Sequence, residues 1–304
     1  MLNISKIKNR SCLSAFIVVS LMISNSGLLL SQSTNNKVPL VVSSQWLEDH
    51  ISSPEIVVLH ISAIINDYKN GHIPGARYLW PGLLILSSEN ESTFPAEPQQ
   101  IKRVIEGLGV SNNSHVVLCG QYGNLVQVCR ILVTLNNIGL EGRLSILEGG
   151  FDEWKNSGKE VSTESPGDKK GNLDIFIKSN FVTADWVANN LDNKSFILVD
   201  ARSRAQYEGT TGTPRPGHIP GAKNIPSTDL YDSKSFHFAS SDTLKVIFKS
   251  LQIPAGARPV FYCNTGNSAS VDFVAALIAG YEPLIYDGSM EEWGSKMNLP
   301  VEKK

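Results

Sequence analysis

The chain has 304 residues, of which 41% are hydrophobic and 18% are charged; this composition is typical of a globular protein of about two domains and excludes a disordered or fibrous one. The formal net charge is −2 and the isoelectric point is near 6.3. Such a chain lacks the excess of cations that binds a phosphate backbone, so nucleic acid is not expected as a partner.

The first segment, residues 1–33, has the order of a secretory signal peptide. A basic start precedes the apolar run 13–23, and small polar residues follow it. We expect removal after Ser26 or after Ser33, which would make the protein exported, either periplasmic or extracellular. The alternative is an uncleaved anchor reaching Leu30, although serines interrupt the roughly 20 apolar residues that a membrane-spanning helix needs.

The remainder of the chain repeats itself. The matching segments, in one order and at nearly constant offset, are 42–47 with 182–187, 56–60 with 196–200, 71–76 with 217–222 (GHIPGA in both), 116–119 with 260–263, and 148–154 with 287–293. We therefore predict two tandem domains of one kind, 38–160 and 176–304, joined by a polar, Pro/Gly-rich linker at 161–175.

Within each half, short apolar runs rich in β-branched residues alternate with longer amphipathic stretches. The short runs are 56–59, 115–118, 144–147, 196–200, 259–263 and 284–287. They are too short for buried helices and are typical of strands buried on both faces. We predict an α/β fold in which each half is a mainly parallel sheet with helices on both faces. Ligands bind beyond the carboxyl ends of such strands, where Cys119 and Cys263 lie.

Cys263 is the candidate nucleophile, in a loop between a strand and a helical stretch. A thiol reacts as its thiolate, and a tight loop at a helix N-terminus offers converging N–H groups that stabilise an anion. Gly266, and Asn264 or Asn267, tolerate the positive φ that such a loop requires, and Ser268 is able to cap the helix. The sequence predicts an activated cysteine; an inert cysteine packed at a strand end is the other interpretation.

The cysteine spacing argues against a metal centre. Loss of Cys12 with the signal leaves Cys119, Cys129 and Cys263, an odd number that indicates a free thiol in an exported chain. No C-x-x-C and no paired Cys/His spacing occurs, so neither a metal site nor a thioredoxin-like dithiol is predicted. A Cys119–Cys129 disulfide stays open, although it would join a strand end to a helix in awkward geometry.

The second half carries an ordered set of motifs that resembles the catalytic domain of the rhodanese family. The motifs are VDAR at 199–202, GHIPGA at 217–222, YC at 262–263, YDGS at 286–289 and EW at 292–293. The first half resembles that family's non-catalytic partner domain. The resemblance implies two tandem rhodanese-like domains and a monomeric sulfurtransferase without a cofactor. Cys263 would take a sulfane sulfur from a small anionic donor, thiosulfate or 3-mercaptopyruvate, hold it as a persulfide, and pass it to cyanide or a thiol.

The resemblance also assigns binding residues. Backbone N–H groups of the loop would cradle the persulfide; the residues of this loop are Asn264, Thr265, Gly266, Asn267 and Ser268. Arg202 matches a family position that binds the donor's anionic group, and Arg215 matches a second such position in the mercaptopyruvate branch. The planar guanidinium suits carboxylate and sulfonate. For each arginine, a surface or structural salt bridge is the other interpretation.

The histidines and tryptophans of the repeated motifs are expected to be structural. His72 and His218 lie in identical turns of both halves, although one half carries the full catalytic set, which favours a scaffold role. In the mercaptopyruvate branch the first-half histidine has been assigned to a proposed catalytic triad, whose acidic partner would fall at His60 here. Trp154 and Trp293 are predicted core aromatics.

The loop after Cys263 also restricts which activities are compatible with the sequence. Asn264 and Thr265 stand where thiosulfate-type loops carry cations, so the loop is neutral and the donor stays open. A phosphatase on this fold needs an arginine six residues after the cysteine, where this chain has Ala269. The rival hypothesis is a non-enzymatic sulfur carrier or partner-binding module.

The first half departs from the partner domains it resembles. By the matching segments, Cys119 occupies the place where such domains usually carry Asp, and Ser62 replaces Arg202. We expect a degenerate domain that packs on the catalytic one and walls its cleft. A weak second sulfur site at Cys119 is the alternative.

Overall fold

The computed structural model describes most of the chain beyond the predicted signal peptide. The described residues are 38–87, 93–121, 123–212 and 215–304. The predicted signal peptide and its two candidate cleavage points lie outside these ranges. Among the described residues, no helix has both the length and the apolar character that crossing a bilayer requires.

The first half contains one parallel sheet, with a separate pair of antiparallel strands beside it. The strand order in the sheet is β1 (Val41–Val42), β7 (Leu144–Leu147), β6 (His115–Cys119), β2 (Ile56–Ile61) and β3 (Arg77–Leu79). The antiparallel pair is β4 (Ile85–Ser87) with β5 (Thr93–Pro95). The α-helices are α1 (Ser44–His50), α2 (Ile65–Lys69), α3 (Pro98–Gly107), α4 (Leu125–Leu135) and α5 (Gly150–Asn156).

The second half repeats this parallel sheet in the same order. Its strands are β8 (Phe181–Val182), β12 (Leu284–Tyr286), β11 (Arg258–Tyr262), β9 (Phe196–Asp200) and β10 (Lys223–Asn224). Its α-helices are α6 (Ala184–Asn189), α7 (Arg204–Glu208), α8 (Ser241–Ser250), α9 (Ala269–Ile278) and α10 (Ser289–Ser295). The α/β fold and the doubled architecture predicted from the repeats are confirmed.

Local sequence explains these elements. The central strands β2 and β11 are almost entirely apolar, except for His60 and Arg258, because helices cover both faces of each sheet. Helix α3 buries Ile101 and Ile105, which are four residues apart and therefore share one face. The first helix of each half begins at the same kind of cap: Ser43 Oγ accepts the Trp46 N–H at 3.1 Å, and Thr183 Oγ1 accepts the Trp186 N–H at 3.2 Å.

The two halves are joined through a shared hydrophobic core. Helix α4 packs against helix α9 of the other half, and both are buried over most of their circumference. One cluster of buried side chains runs through both halves, from Ile131 and Leu135 to Val271 and Val274. Helix α9 is therefore apolar nearly all round, because it is covered by its own sheet and by the other half.

The predicted linker, residues 161–175, is extended and follows the surface of the first half. The Gly171 N–H donates to Glu106 O at 2.7 Å, and the Leu173 N–H donates to Glu106 Oε1 at 2.9 Å. Leu173 is fully buried. The linker is thus bound to the domain it leaves near Gly171 and Leu173.

Each half extends one segment, called here its arm, to the loop edge of the other half. The first arm is the β4–β5 pair, and the second arm is the segment 231–238, whose ends pair at Tyr231 and Phe238. Thr93 of the first arm bonds the loop that follows Cys263. Phe236 of the second arm lies against Gly123, in the corresponding loop of the first half.

Candidate active site

Cys263 directly follows the central strand β11, at the carboxyl edge of the second sheet. The strand is buried along nearly its whole length, and Cys263 itself is 2% exposed. Five residues separate it from helix α9, which begins at Ala269. A rigid strand end therefore fixes the sulfur at the edge where open α/β sheets bind ligands.

The loop surrounds the sulfur with backbone N–H groups. The Gly266 N–H donates to Cys263 Sγ at 3.2 Å, and the nearby N–H groups of Thr265, Ser268 and Ala269 also favour the anion of the sulfur. Gly266 has a φ of +87°, and a Cβ there would lie 2.5 Å from Asp287 Oδ1. A glycine is therefore required at this turn, as the sequence predicted.

Two other expectations about the loop are wrong in detail. Asn264 and Asn267 do not adopt positive φ, so Gly266 alone provides the left-handed turn within the loop. Ser268 occupies the N-cap position of α9, but its hydroxyl makes no capping hydrogen bond because its backbone is helical. Ser270 Oγ donates to Gly266 O at 3.1 Å, which fixes a loop carbonyl but caps no N–H group of the helix.

Ser289 is a site residue that sequence reasoning missed. Its Oγ accepts the Cys263 N–H at 3.0 Å and donates to Tyr286 O at 3.0 Å. Its φ is +53°, which is uncommon for a residue with a side chain. The Met290 N–H donates to Cys263 O at 3.0 Å, so both backbone groups of the cysteine are fixed. One feature of the sequence could have revealed Ser289: it is the serine of the YDGS motif, and the matching position in the first half is Gly150.

The pKa of Cys263 is not lowered in this structure. Burial raises the pKa of the thiol, and the four surrounding N–H groups offset only part of that effect. The expectation of a cysteine activated by a depressed pKa is therefore corrected. What the N–H groups provide is a set of fixed donors for negative charge once it forms on the sulfur.

Arg202 lies in a buried ion pair. Its Nη2 donates to Asp200 Oδ2 at 2.6 Å and to Gly217 O at 2.7 Å, and its Nε donates to Asp200 Oδ1 at 2.9 Å. The residue is 3% exposed. The guanidinium also interacts electrostatically with Cys263. The Nε and Nη2 donors are thus engaged by Asp200 and Gly217, as in a structural ion pair, and donor binding by Arg202 stays a prediction.

Arg215 is bonded at the far end of helix α10. Its Nη1 donates to Lys296 O at 3.0 Å and its Nη2 donates to Leu299 O at 2.7 Å. These carbonyls follow the last turn of the helix, whereas Cys263 lies at its first turn. These bonds anchor Arg215 after the last turn of α10, and donor binding by Arg215 stays a prediction.

The repeated histidines hold their turns in the same way in both halves. His72 Nδ1 lies 2.8 Å from Tyr68 O, and His218 Nδ1 lies 2.7 Å from Tyr207 O. Each histidine stacks on that tyrosine with ring centroids 3.8 Å apart. The identical geometry supports the scaffold interpretation.

The two motif tryptophans are core residues, as predicted. Trp154 and Trp293 are both buried, and each indole N–H donates to a backbone carbonyl at 2.7 Å, Glu160 O and Pro300 O respectively.

The strand register shows that Cys119 is not the structural counterpart of Cys263, although the match of 116–119 with 260–263 predicted that it would be. His60 pairs with Cys119, whereas Asp200 pairs with Tyr262. Cys119 is therefore the counterpart of Tyr262. The residue in the place of Cys263 is Gly120, whose carbonyl accepts the Phe151 N–H at 2.8 Å just as Cys263 O accepts that of Met290.

A shift of one residue turns a side chain to the opposite face of the sheet. Cys119 accordingly packs with Phe151 and Trp154, away from the strand-end loop. Burial raises its pKa, and its thiol lies 3.5 Å from Gly120 O. This orientation argues against the alternative of a sulfur site at Cys119.

No cysteine in the described ranges forms a disulfide. Cys119, Cys129 and Cys263 are all buried free thiols, so the Cys119–Cys129 bridge that the sequence left open is absent. Across the same ranges, no three His, Cys, Asp or Glu side chains come together as they would to hold a metal ion.

Comparison with known proteins gives one family for both halves. A model described as rhodanese-like domain matches residues 43–157 and again 183–296. The sulfur carrier protein TtuD of Thermus thermophilus is 30% identical over 87% of this chain and 96% of its own length. The 3-mercaptopyruvate sulfurtransferase of Escherichia coli is 29% identical over 86% and 97%. The mouse thiosulfate sulfurtransferase is 29% identical over 83% and 91%.

A solved structure shares the fold. The anaerobic ergothioneine biosynthesis enzyme from Chlorobium limicola superimposes with a TM-score of 0.74 over 87% of this chain and 70% of that one, at 23% identity. The two domain matches show that the chain belongs to the rhodanese family, as a protein with two rhodanese-like domains in tandem, and the duplicated sheet agrees with them.

Proposed function

We propose that this protein is a sulfurtransferase that carries a sulfane sulfur as a persulfide on Cys263. The observation that carries the proposal is the ring of four N–H groups around Cys263 Sγ. A persulfide is an anion, and preorganised N–H donors stabilise an anion without reorganisation. The relatives named above transfer or carry sulfur.

The proposed reaction has two steps. In the first, the Cys263 thiolate attacks the outer sulfur of thiosulfate; a new S–S bond forms, the donor's S–S bond breaks, and sulfite leaves with that bond's electron pair. With 3-mercaptopyruvate, the C–S bond breaks and the carbon takes up the thiol proton to give pyruvate. In the second step, cyanide or a thiolate attacks the outer persulfide sulfur, and the Cys263 thiolate is released. Charge is conserved in both steps.

Cyanolysis of the purified protein tests this proposal. With thiosulfate or 3-mercaptopyruvate as donor, we expect thiocyanate, and in the absence of cyanide Cys263 should gain the mass of one sulfur atom. Cys263→Ser should abolish both signals while the far-ultraviolet circular dichroism spectrum is retained. Cys129→Ser is the matched control, because that thiol is buried in helix α4 and should not affect turnover. Absence of thiocyanate and of the added mass with both donors would contradict the proposal.

A sulfur carrier without turnover of its own is the second candidate. It is favoured by the engagement of Arg202 with Asp200 and Gly217 and by the similarity to a protein named as a sulfur carrier. The two candidates differ in kinetics: a carrier forms the persulfide once and releases no thiocyanate beyond one equivalent, whereas an enzyme continues. The ratio of kcat/KM for the two donors then identifies the donor.

We also propose that the protein is exported by its first 33 residues. The basic, apolar and small-residue order of this segment supports the proposal. Mass analysis of the protein from producing cells should find a chain that begins after Ser26 or after Ser33. A mature protein that still begins at Met1 would contradict cleavage.

A further inference from the structure

Thr93 of the first arm forms two hydrogen bonds to one carbonyl of the Cys263 loop. Its N–H donates to Thr265 O at 3.2 Å and its Oγ1 donates to the same oxygen at 2.8 Å. The side chain is buried, 8% exposed. A residue 172 positions earlier in the chain therefore holds this carbonyl in place.

That carbonyl belongs to the peptide whose N–H bonds the sulfur. The peptide group is planar and trans, so the Thr265 C=O and the Gly266 N–H point in opposite directions. Fixing the oxygen on Thr93 turns the Gly266 N–H toward Cys263 Sγ, which it meets at 3.2 Å. The orientation of this donor is set from the other half of the molecule.

Arg130 fixes Thr93 and the far wall of the loop together. It is fully buried in helix α4, and its Nη2 donates to Thr93 O at 2.8 Å and to Asp287 Oδ2 at 2.6 Å. The Asp287 carboxylate lies beside Gly266, where a Cβ would be 2.5 Å from Oδ1. One guanidinium of the first half thus bridges two groups that enclose the turn at Gly266.

We infer that Thr93 and Arg130 are positioning residues of the sulfur site, supplied by the first half to orient the Thr265–Gly266 peptide toward Cys263. The inference rests on the proposed function, because the oriented N–H matters for negative charge on that sulfur. It assigns the first half a part in the chemistry besides packing. In the second arm, a phenyl ring, that of Phe236, lies against Gly123 of the first loop.

Replacement of the Thr93 hydroxyl tests the inference. Thr93→Val keeps the shape and the backbone N–H but removes the 2.8 Å bond; Thr93→Ser keeps the hydroxyl. Thr134→Val is the matched control, because Thr134 is also buried and bonds a backbone carbonyl, Arg130 O, at 3.0 Å. In each purified full chain, freed of sulfur, the rate of Cys263 alkylation by iodoacetamide is followed against pH by mass spectrometry.

We expect the alkylation pKa of Thr93→Val to rise by about half a unit to one unit, since one net hydrogen bond to the loop is lost. In cyanolysis, kcat should fall about 3- to 10-fold while KM for the donor stays within about twofold, because Thr93 bonds the loop rather than the donor. Thr93→Ser should retain the wild-type profile. Arg130→Lys, which keeps the charge beside Asp287 but loses the planar fork, should shift the profile in the same direction as Thr93→Val.

Two results would overturn the inference. One is a wild-type alkylation profile in a folded Thr93→Val protein; the other is an equal shift in Thr134→Val, which would indicate a general effect of a lost buried hydroxyl. Alkylation of Cys263 does not depend on turnover, so the test of the positioning role is independent of the test of sulfurtransferase activity. A shifted profile in a protein that yields no thiocyanate and no persulfide would retain the positioning role and reject the sulfurtransferase.

Discussion

The loops that follow the two central strands lie at equivalent places in the two sheets, but they begin with different residues. Cys263 ends the second central strand, and Gly120 takes its place in the first. A Cβ on Gly120 would lie 2.7 Å from Val128 Cγ2, so a cysteine does not fit there unless the Val128 side chain shifts. The first loop is therefore packed more tightly against its helix at the position where the second loop carries the thiol.

The neighbouring strand ends differ in charge. In the second half, Asp200 forms an ion pair with Arg202. In the first half the corresponding residue is His60, and burial, with a smaller contribution from His72, lowers the pKa of His60 to about 4. His60 is therefore neutral at pH 7 and supplies no negative charge to a triad with His72. At this strand end the first half therefore has a neutral side chain, His60, whereas the second half has the Asp200–Arg202 ion pair.

Removal of Arg130 should have the largest effect, since it breaks the ion pair that joins the halves beside the active loop. Arg130 and Asp287 side chains are 0% and 5% exposed, and loss of one partner leaves a buried charge unpaired. We expect Arg130→Ala to lower the free energy of unfolding by about 3–5 kcal/mol in urea titrations. Lys245→Ala, which breaks an exposed pair with Asp242, is the control and should be near neutral. Equal, small changes in both variants would refute the structural role of the buried pair.

The pH dependence of sulfur uptake should follow the raised pKa of Cys263. Below that pKa the thiolate fraction falls about tenfold for each pH unit. With donor in excess, the rate of persulfide formation should therefore keep rising through the usual thiol pKa of about 8.5. Stopped-flow measurement of one turnover between acid and alkaline pH checks this. A plateau already reached below pH 7 would mean that the N–H groups outweigh burial, contrary to the direction found here.

Gly123→Ala should disturb the arm that covers the first loop. Gly123 has a φ of +71°, and a Cβ would lie 2.2 Å from Phe236 Cζ. We expect a loss of about 2 kcal/mol from strain and overpacking. Gly75→Ala is the control for backbone strain alone, because Gly75 has a φ of +75° with no atom within 4 Å of the added Cβ.

A double-mutant cycle separates the two causes of that loss. If the Phe236 ring is the obstacle, Phe236→Ala should reduce the cost of Gly123→Ala to that of Gly75→Ala, measured by urea unfolding. An unchanged cost in the Phe236→Ala background would show that the arm does not limit this position.

The sequence was sufficient for the fold and for the cysteine loop because their determinants are local. Repeated segments fixed the two sheets, and Gly266 marked the turn beside Cys263. The contacts of Thr93 were out of reach, because its partner Thr265 lies 172 residues away and no periodicity links an arm to a distant carbonyl. The sequence left two interpretations of Arg202 open for the opposite reason: its partner Asp200 is two residues away, and the spacing alone does not tell a buried pair from a free cation.

The smallest effect should come from Cys119, and it tests the register on which the comparison of the two loops depends. By letters alone, Val-Val-Leu-Cys at 116–119 matches Val-Phe-Tyr-Cys at 260–263, but strand pairing sets Cys119 opposite His60 and Tyr262 opposite Asp200. Cys119 therefore faces the outer core with Phe151. Cys119→Ala should leave persulfide formation and cyanolysis unchanged and cost about 1 kcal/mol of stability as a small buried deletion. If mass spectrometry instead finds sulfur on Cys119 of the wild type, and the variant loses a share of total sulfur uptake, the first loop binds sulfur despite its register.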